Sequence, residues 1–592
     1  MRRVIAVLLV WVFAALPAAA QDGETVPYDV EIAGVKSGEL RPLLRQTAQL
    51  VALKDPPPAT LAGLRRRATG DVGRLEKALK SRGFHEGAVE VAIDPETDPV
   101  TVVLRVDPGP VYLLETAEAS YTRPPGEQAD APRTTEDLNL TPGQRAEAAR
   151  IIRAQRGILT RLENSGHPLA EVENRRAVAD RERDTITVSW TVDPGPFVRF
   201  GAMRITGLET VERGYLDRFR RWEPGEPFDR RKVEATRERL METGLFRTVV
   251  VERGEIDDGR MPVTLAAREG EQRSIGFTGS ASTDEGPRAE VFWQHRNILG
   301  GDEDLEITLG GSLIDQEVET ELTLPNRGRL DQDVALRTTL HRQDTDAFEE
   351  RSVTVGGEVT REGRGPWTLS AGTDASYTET EDNEGFRTFF ILGAPFTARR
   401  DTRDNLLDPT QGSWLSATTE PVITAVDETE VFLRNTVSGR VYRQPLASER
   451  LTLAGRARYG WIGAGATDNL PSSKRFYAGG AGSVRGFGFQ DLGPITNGDP
   501  DGGRSLVEAS AEARVRVSES VGVVPFLDAG QVYDDPFPNP EDDAGRVLRV
   551  GAGLGVRYFT PIGPVRVDVA VPVNDRPRDS AFELYIGLGQ AF

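Results

Sequence analysis

Side chains that could carry out covalent chemistry are few and scattered in this sequence. Cysteine is absent, and the four histidines are spread from His85 to His341, so neither thiolate chemistry nor a histidine metal site is indicated. The sequence has no Gly-x-Ser-x-Gly elbow and no Walker loop, and Gly480 and Gly482 lack the third glycine of a dinucleotide fingerprint. We therefore expect no enzymatic activity, no cofactor and no metal.

Arg485 is the side chain whose setting best suits a specific electrostatic role. It lies in a glycine-rich string in which Tyr477–Gly480 leads into Val484, Arg485, Gly486 and Phe487. A guanidinium is planar and pairs with a carboxylate through two parallel hydrogen bonds, most strongly where water is partly excluded. Gly486 would allow the backbone to approach closely beside the arginine. A solvated loop arginine is the alternative that the residues leave open.

Two other strings combine charged residues with glycine. The first comprises Asp401, Thr402, Arg403, Asp404 and Asn405, with Pro409 and Gly412 after them; the second comprises Phe526, Leu527, Asp528, Ala529 and Gly530. The first also fits an ordinary Asx-type turn, in which proline and glycine have routine roles.

All three strings lie in a carboxy-terminal region of short alternating segments. Residues 274–592 alternate apolar with polar or small side chains between acidic, glycine-rich turns, as in Val334–Leu340, Leu451–Tyr459 and Val547–Tyr558. Such alternation is typical of strands with one apolar face. At about twenty residues per strand, the region predicts a transmembrane antiparallel β-barrel of about sixteen strands. A soluble β-sandwich or propeller is the alternative.

The end of the chain favours the membrane barrel. Its apolar residues alternate with small or polar ones; the apolar set is Leu584, Ile586, Leu588 and Phe592, and Gln590 interrupts it. We expect one apolar face that runs to the aromatic residue at position 592.

The amino-terminal half contains an internal repeat. The pentapeptide Val106–Pro110 recurs as Val192–Pro196, and three helical stretches each stop at a glycine: Gly83, Gly166 and Gly244. Glycine after a helix supplies a left-handed cap, and a regular spacing of such units indicates a tandem array. The third copy predicts the order strand, helix, helix, strand, strand, which packs as one sheet with two helices on one face.

The start of the chain resembles an export signal. Arg2 and Arg3 precede the apolar run Val4–Leu16, and Ala18–Ala20 provide a small-residue cleavage site. We predict a signal peptide over 1–20, three small α+β domains over 21–110, 111–196 and 197–273, and the barrel over 274–592. An irregular loop is expected over 123–133. A net charge of −20 argues against a nucleic-acid partner.

Together, these features resemble the BamA/TamA outer-membrane assembly superfamily, and its TamA-type members in particular. The three amino-terminal domains are similar to POTRA domains. The strings around Asp401, Arg485 and Asp528 resemble the superfamily's turn, loop-six and strand motifs, and the strand that ends at Phe592 resembles its β-signal.

The resemblance implies a mechanism, partners and a location. Arg485 is expected to anchor loop six inside the barrel by pairing with Asp528 and Glu512. The first strand, about 273–282 with Gly276 and Gly279, is expected to meet the last strand near 582–592 in a weak lateral seam that admits client β-barrels such as autotransporters. The implied location is the bacterial outer membrane with the amino-terminal domains in the periplasm. The implied partners are outer-membrane lipid, the clients, and a TamB-like inner-membrane-anchored protein bound by the first POTRA domain.

Two other functions remain open on the sequence. One is a two-partner secretion transporter, which exports a polypeptide through its lumen; such proteins usually have two POTRA domains and a plug helix. The other is a porin-like channel with a periplasmic arm. Single-channel conductance separates the porin-like channel from a plugged assembly barrel, which should pass little current.

Overall fold

The computed structural model describes residues 25–35, 38–363, 365–425, 429–445, 450–463, 470–538 and 547–592. The predicted signal peptide over residues 1–20 lies outside these ranges. Within them, three small α/β domains precede one large antiparallel barrel, as the alternation and the repeat predict.

Each amino-terminal domain contains one three-stranded sheet. The first domain comprises β1 (Tyr28–Ala33), α1 (Leu40–Thr47), α2 (Gln49–Ala52), α3 (Leu61–Ser81), β2 (Ala88–Asp94) and β3 (Val100–Asp107). The second comprises β4 (Leu113–Tyr121), α4 (Ala148–Glu163), β5 (Glu171–Asp180) and β6 (Thr185–Asp193). The third comprises β7 (Arg199–Thr206), α5 (Arg213–Leu216), α6 (Arg230–Glu242), β8 (Phe246–Arg253) and β9 (Arg260–Glu269). The strand that comes last in sequence is central in all three sheets.

Burial periodicity explains why these helices lie on their sheets. In α4, Ala154, Ile158 and Leu162 recur at helical spacing and are buried, and they belong to one core with Trp190 of β6. A stripe of this kind is the usual way a helix covers one face of a sheet.

The repeat signals are confirmed in the backbone. Gly83, Gly166 and Gly244 have φ of +83°, +95° and +74°, which is the left-handed conformation that favours glycine. In both copies of the pentapeptide, the glycine also has positive φ and donates its N–H to the aspartate two residues earlier. The third copy has the predicted order of strand, helix, helix, strand and strand, and the predicted loop over 123–133 is irregular.

The chain forms two compact units. The first comprises the described residues up to Arg204 together with Arg221–Ala235 and Val251–Thr264. The second comprises Ile205–Arg220, Thr236–Val250 and Leu265–Phe592. Parts of the third domain therefore belong to the same unit as the barrel.

The barrel is built from a continuous series of strands. They are β10 (Arg273–Ser282), β11 (Gly286–Arg296), β12 (Asp304–Gly311), β13 (Asp315–Leu324), β14 (Gln332–Asp344), β15 (Glu349–Glu362), β16 (Trp367–Asp382), β17 (Gly385–Gly393), β18 (Phe396–Asp401), β19 (Gly412–Ala425), β20 (Thr429–Arg443), β21 (Leu451–Gly463), β24 (Ser505–Arg516), β25 (Val521–Tyr533), β26 (Arg549–Thr560), β27 (Gly563–Pro572) and β28 (Glu583–Leu588). Between β21 and β24, a small hairpin is formed by β22 (Ile495–Thr496) and β23 (Asp499–Pro500).

Sixteen antiparallel strands close the barrel within the described ranges. Both β17 and β18 pair with β16 on one side and with β19 on the other, so they are two parts of one strand interrupted at Ala394 and Pro395. We call the end at which the chain enters β10 the proximal end and the opposite end the distal end. Loop six, whose described part is residues 470–504, connects the distal ends of β21 and β24.

The two faces of each strand differ as the sequence predicts. On β27, Val565, Val567, Val569 and Val571 point outward and are 39–43% exposed, whereas Asp568 between them is fully buried. Such alternation places an apolar face outside the barrel and a polar face inside it. None of the helices within the described ranges is long and apolar enough to cross a membrane.

Candidate functional site

Arg485 lies inside the barrel and is 2% exposed. Its Nε donates to Asp528 Oδ2 at 2.7 Å and its Nη2 donates to Asp528 Oδ1 at 3.1 Å. The Nη2 atom also lies 2.9 Å from Glu512 Oε1. The guanidinium Cζ is 3.5 Å from the centre of the Phe526 ring. The predicted contacts of Arg485 with Asp528 and Glu512 are therefore present, and the solvated alternative is wrong.

The site contains a third carboxylate, which we did not predict from the sequence. Asp568 on β27 accepts a hydrogen bond from Arg485 Nη1 at 3.1 Å, and it also accepts one from Arg557 on β26. Glu512, the ion-pair partner of Arg485, accepts a charged hydrogen bond from Arg514 Nε at 2.9 Å. Because buried charges are stable only when they are paired and hydrogen-bonded, the strands β24–β27 must be in register before Arg485 can be buried.

Three inward glycines on β26 make room for the loop. A Cβ at Gly551 would lie 1.9 Å from the Arg485 carbonyl oxygen, and one at Gly553 would lie 2.2 Å from the Phe526 ring. A Cβ at Gly555 would lie 2.1 Å from Asp568. These separations are far below van der Waals contact, so only glycine fits. The sequence signal for this row is a glycine at every second position of β26, and we did not predict the row from the sequence.

The residues beside Arg485 fasten the rest of the loop. Val484 and Phe487 are fully buried in an apolar cluster that lines the lumen, and a Cβ at Gly530 would lie 2.6 Å from Val484. Gly486 has φ of +96° and donates its backbone N–H to the hydroxyl of Tyr585 at 3.0 Å. Loop six is thereby joined to the last barrel strand.

The seam between the first and last strands is short. β10 and β28 pair only at Ala281 with Ile586 and at Ser282 with Tyr585. The Thr283 N–H donates to Leu584 O at 3.0 Å just beyond these pairs. By contrast, β14 and β15 pair along the whole of both strands. The edge of β10 from Arg273 to Ser280 therefore has no strand partner on the seam side within the described residues.

The two seam glycines have different surroundings. A Cβ at Gly276 would lie 2.1 Å from the ring of Phe292 on β11, whereas one at Gly279 would make only ordinary contacts at 3.5 Å. Neither glycine pairs with β28. Gly276 is therefore needed for packing against β11.

The predicted continuation of the last strand to Phe592 is wrong. β28 ends at Leu588, and Gly589 has φ of +85°, which turns the chain away from the strand direction. Leu584, Ile586 and Leu588 belong to the outer row. Phe592 instead lies inside the lumen, where it packs with Tyr442 and its carbonyl oxygen accepts from Arg514 Nη2 at 2.8 Å.

The string around Asp401 forms a proximal turn that is largely satisfied by its own atoms. Arg403 folds back onto Asp401, with Nη2 to Oδ2 at 2.6 Å, and Asp404 Oδ1 accepts from the Thr410 N–H at 2.9 Å. Gly412 has φ of +99°, and the Pro409 carbonyl oxygen lies 3.4 Å from Arg514 Nη1. This turn therefore contacts the Arg514 side of the charge network and makes no contact with Arg485 within the described residues.

Segments of the third domain contact two proximal turns of the barrel. The Tyr215 hydroxyl donates to Asp302 Oδ2 at 2.9 Å and accepts from Asn326 Nδ2 at 3.1 Å. The Glu212 N–H donates to Gly300 O at 2.7 Å. Burial raises the pKa of Asp302 to about 7, and the neighbouring acids, Asp304 first among them, shift it in the same direction. The hydrogen bond from Tyr215 opposes this shift.

Comparison with known proteins agrees with this architecture. Residues 297–592 match the Omp85 superfamily domain, and residues 198–270 match the POTRA family, described as a surface antigen variable number repeat. The fold resembles the crystal structure of BamA from Haemophilus ducreyi lacking POTRA domains 1-3, with a TM-score of 0.68 and 18% identity over 81% of this chain and 100% of that one.

Two curated relatives are outer membrane protein assembly factors BamA. The protein of Nitratidesulfovibrio vulgaris is 29% identical over 33% of this chain and 24% of its own length. The protein of Neisseria meningitidis serogroup B is 22% identical over 77% of this chain and 64% of its own length. The chain thus spans less than two thirds of either relative.

The barrel match covers residues 297–592, which is half of the chain, and a POTRA match precedes it directly. The chain belongs to the Omp85 superfamily, as an outer-membrane β-barrel with periplasmic POTRA domains.

Proposed function

We propose that this protein helps client β-barrel proteins, autotransporters among them, to insert into the outer membrane through the seam between β10 and β28. The observation that carries the proposal is the two-pair seam, Ala281 with Ile586 and Ser282 with Tyr585. The relatives named as outer membrane protein assembly factors support the same role. No bond chemistry is part of the mechanism.

The open edge of β10 supplies the driving force. A strand edge presents unpaired N–H and C=O groups, and a second chain can satisfy them by β-augmentation. An unsatisfied backbone group in hydrocarbon costs several kcal/mol, so a client strand gains by pairing there. Only two residue pairs and the Thr283 bond close the seam, so opening breaks far fewer hydrogen bonds there than between fully paired strands such as β14 and β15.

A disulfide across the seam tests the proposal. Ala281 and Ile586 are directly opposite each other, and Cα atoms in such a pair are within the range that a disulfide bridges. The natural chain has no cysteine, so Ala281→Cys with Ile586→Cys gives one defined bridge. Oxidation should block insertion of an autotransporter barrel into vesicles that contain the protein, and reduction should restore it.

A matched lock elsewhere in the barrel provides the control. Val318 and Leu340 are opposite each other on β13 and β14 and both point outward. The disulfide between Val318→Cys and Leu340→Cys should leave insertion unchanged. Full client insertion by the oxidised seam variant would refute lateral opening.

The two other functions use the lumen, and loop six, which occupies part of it, argues against both. Arg485, Val484 and Phe487 of loop six are buried there. A two-partner secretion transporter or a porin needs a continuous passage through the lumen. Because loop six obstructs that passage here, we expect little single-channel current in planar bilayers. Arg485→Ala should increase that current, because it releases the loop. A large stable conductance in the natural protein would instead favour export or diffusion through the lumen.

We also propose that the first POTRA domain binds a TamB-like inner-membrane-anchored protein. The support is the resemblance of the whole chain to TamA-type proteins. Crosslinking in whole cells from single cysteines on β1 and β2, the strands at the two edges of the first sheet, tests the partnership. Crosslinks to a large inner-membrane-anchored protein are expected, and their absence from every position would refute it.

A further inference from the structure

Arg566 on β27 is a lumen-facing cation that lacks a close partner of its own. Its Nε and Nη1 atoms are buried and form no hydrogen bond to any described residue. Its nearest ion pair is to Asp568 Oδ2, at 3.9 Å from Nη1, and the side chain is 17% exposed. Desolvated donors without acceptors are unfavourable, so Arg566 is held in a setting that lacks an acceptor.

The charge balance of the neighbouring network explains why the acceptor is missing. Asp568 already receives charged hydrogen bonds from Arg485 and Arg557. Asp528 is engaged by Arg485, and Glu512 is engaged by both Arg485 and Arg514. The four arginines at 485, 514, 557 and 566 therefore share three carboxylates, and the arginine without a close pair is Arg566.

Arg566 lies where the seam ceases to be paired. It is opposite Gly587 on β28, and a Cβ at Gly587 would lie 3.3 Å from Arg566 Nε and 3.9 Å from Ser280 Cβ on β10. Pairing of β10 with β28 includes Ala281 but does not reach Ser280. The free guanidinium donors are thus next to the first unpaired residue of the open edge.

We propose that Arg566 is a client-binding residue that receives a carboxylate on the lumen-facing side of a strand paired with the open edge of β10. The inference rests on the proposed function and names a recognition element for it. A carboxylate would supply the acceptor that Nε lacks, and with Nη2 on the same side it gives the bidentate geometry that suits a guanidinium. It would also remove the charge imbalance of the network.

The ligand fits the geometry of an antiparallel strand. Side chains at alternate positions of an added strand point into the lumen, as do Ser280 and Gly587 here. An acidic residue at one such position reaches Arg566, while its neighbours face lipid. The expected client segment is therefore an extended strand with alternate apolar residues and one inward Asp or Glu near its contact with Ser280.

The test uses the full chain in detergent and two labelled peptides of about ten residues, the length of a membrane strand. The peptides alternate apolar and polar residues and differ only by Glu or Gln at one inward position. Each carries a photoreactive group that reports where it binds. We expect the Glu peptide to bind about tenfold more tightly, as one charged hydrogen-bond pair would give.

Variants separate recognition from stability. Arg566→Gln should abolish the preference for the Glu peptide, and Arg566→Glu should create a preference for a matching Lys peptide. Arg440→Gln is the matched control, because Arg440 faces the lumen from β20 with its guanidinium 4.8 Å from the Trp414 ring. It should retain the preference of the natural protein.

The outcomes distinguish this inference from the proposed function. Peptides that crosslink to β10 but bind equally well, or whose preference survives Arg566→Gln, would refute the role of Arg566 and leave the seam mechanism standing. Peptides that bind but never crosslink to β10 would refute the seam mechanism itself.

Discussion

The inner walls of the barrel over β24–β27 and over β12–β16 obey the same alternation but are filled differently. Over β24–β27, Arg485, Glu512, Asp528 and Asp568 are almost fully buried and mutually paired. Over β12–β16, the charged inward side chains are mostly acidic and half-buried; they include Glu306, Glu317, Glu319, Glu321, Glu358 and Asp374, and Arg337 lies among them. One wall is thus a packed charge network and the other is a charged surface open to the lumen.

The difference shows how charge becomes structural in a lumen. Pairing makes a buried charge stable only when several partners converge and space is available, and on β26 the glycines provide that space. The acidic wall has too few cations for such pairing, so its carboxylates remain accessible from the lumen. Substitutions matched between the two walls should therefore have unequal effects.

Removing the central arginine should have the largest effect. Arg485→Ala leaves three carboxylates without their shared cation, and loss of one partner from a buried ion pair costs about 3–5 kcal/mol. Arg337→Ala on the acidic wall is the control, because the Arg337 side chain is 51% exposed and exposed pairs contribute about 0–1 kcal/mol. Urea unfolding in detergent, followed by heat-dependent gel mobility, measures both. Equal losses of unfolding free energy in the two variants would contradict the difference between the two walls.

Adding a methyl group to the glycine row should have a smaller effect. Gly551→Ala places Cβ against the Arg485 carbonyl oxygen, and overpacking of this kind costs about 1–3 kcal/mol. Gly310→Ala on β12 is the matched change, since its Cβ would meet side chains only at 3.6 Å or beyond. Protease sensitivity of loop six should rise in the first variant alone. Tolerance of both substitutions would mean that the loop is not tightly packed.

The smallest expected effect is on pH dependence at the proximal turns. The pKa of Asp302, raised to about 7 by burial and by the acids near it, lies above its ordinary value of 3.8. The folded junction therefore binds the proton more tightly than the unfolded chain. The stabilisation that protonated Asp302 gives the folded junction is complete below pH 3.8 and is lost as pH rises through about 7.

Hydrogen exchange of the Glu212 amide, which donates to Gly300 O, measures this dependence. After correction for intrinsic exchange rates, protection should be higher at pH 6 than at pH 8. Asp302→Asn should remove the difference, because its amide oxygen still accepts from Tyr215 but does not ionise. Glu269, which binds the backbone of the same domain, has a lowered pKa and stays charged throughout. Unchanged protection in the natural protein would contradict the assignment to Asp302.

Much of the fold and part of the site were predictable from local patterns. Alternation at a period of two assigned faces to strands such as Leu451–Tyr459, and helix, glycine, strand units revealed the tandem domains. The string around Arg485 was identifiable by its resemblance to a family motif, together with Asp528 and Glu512. Asp568 was not identifiable in this way. In the sequence it is an aspartate between valines on β27, like any other inward polar residue, and only the pairing of β27 with β26 brings it to Arg485.

The sequence by itself determined which residues face lipid and which face the lumen, because side-chain direction along a strand depends only on position. It also determined where the periplasmic repeats turn, since Gly83, Gly166 and Gly244 mark left-handed caps. Only the tertiary structure decided which inward residues meet. Closure of the barrel sets the register of strands far apart in sequence, and that register shortens the seam, turns Phe592 inward and leaves Arg566 without a close partner.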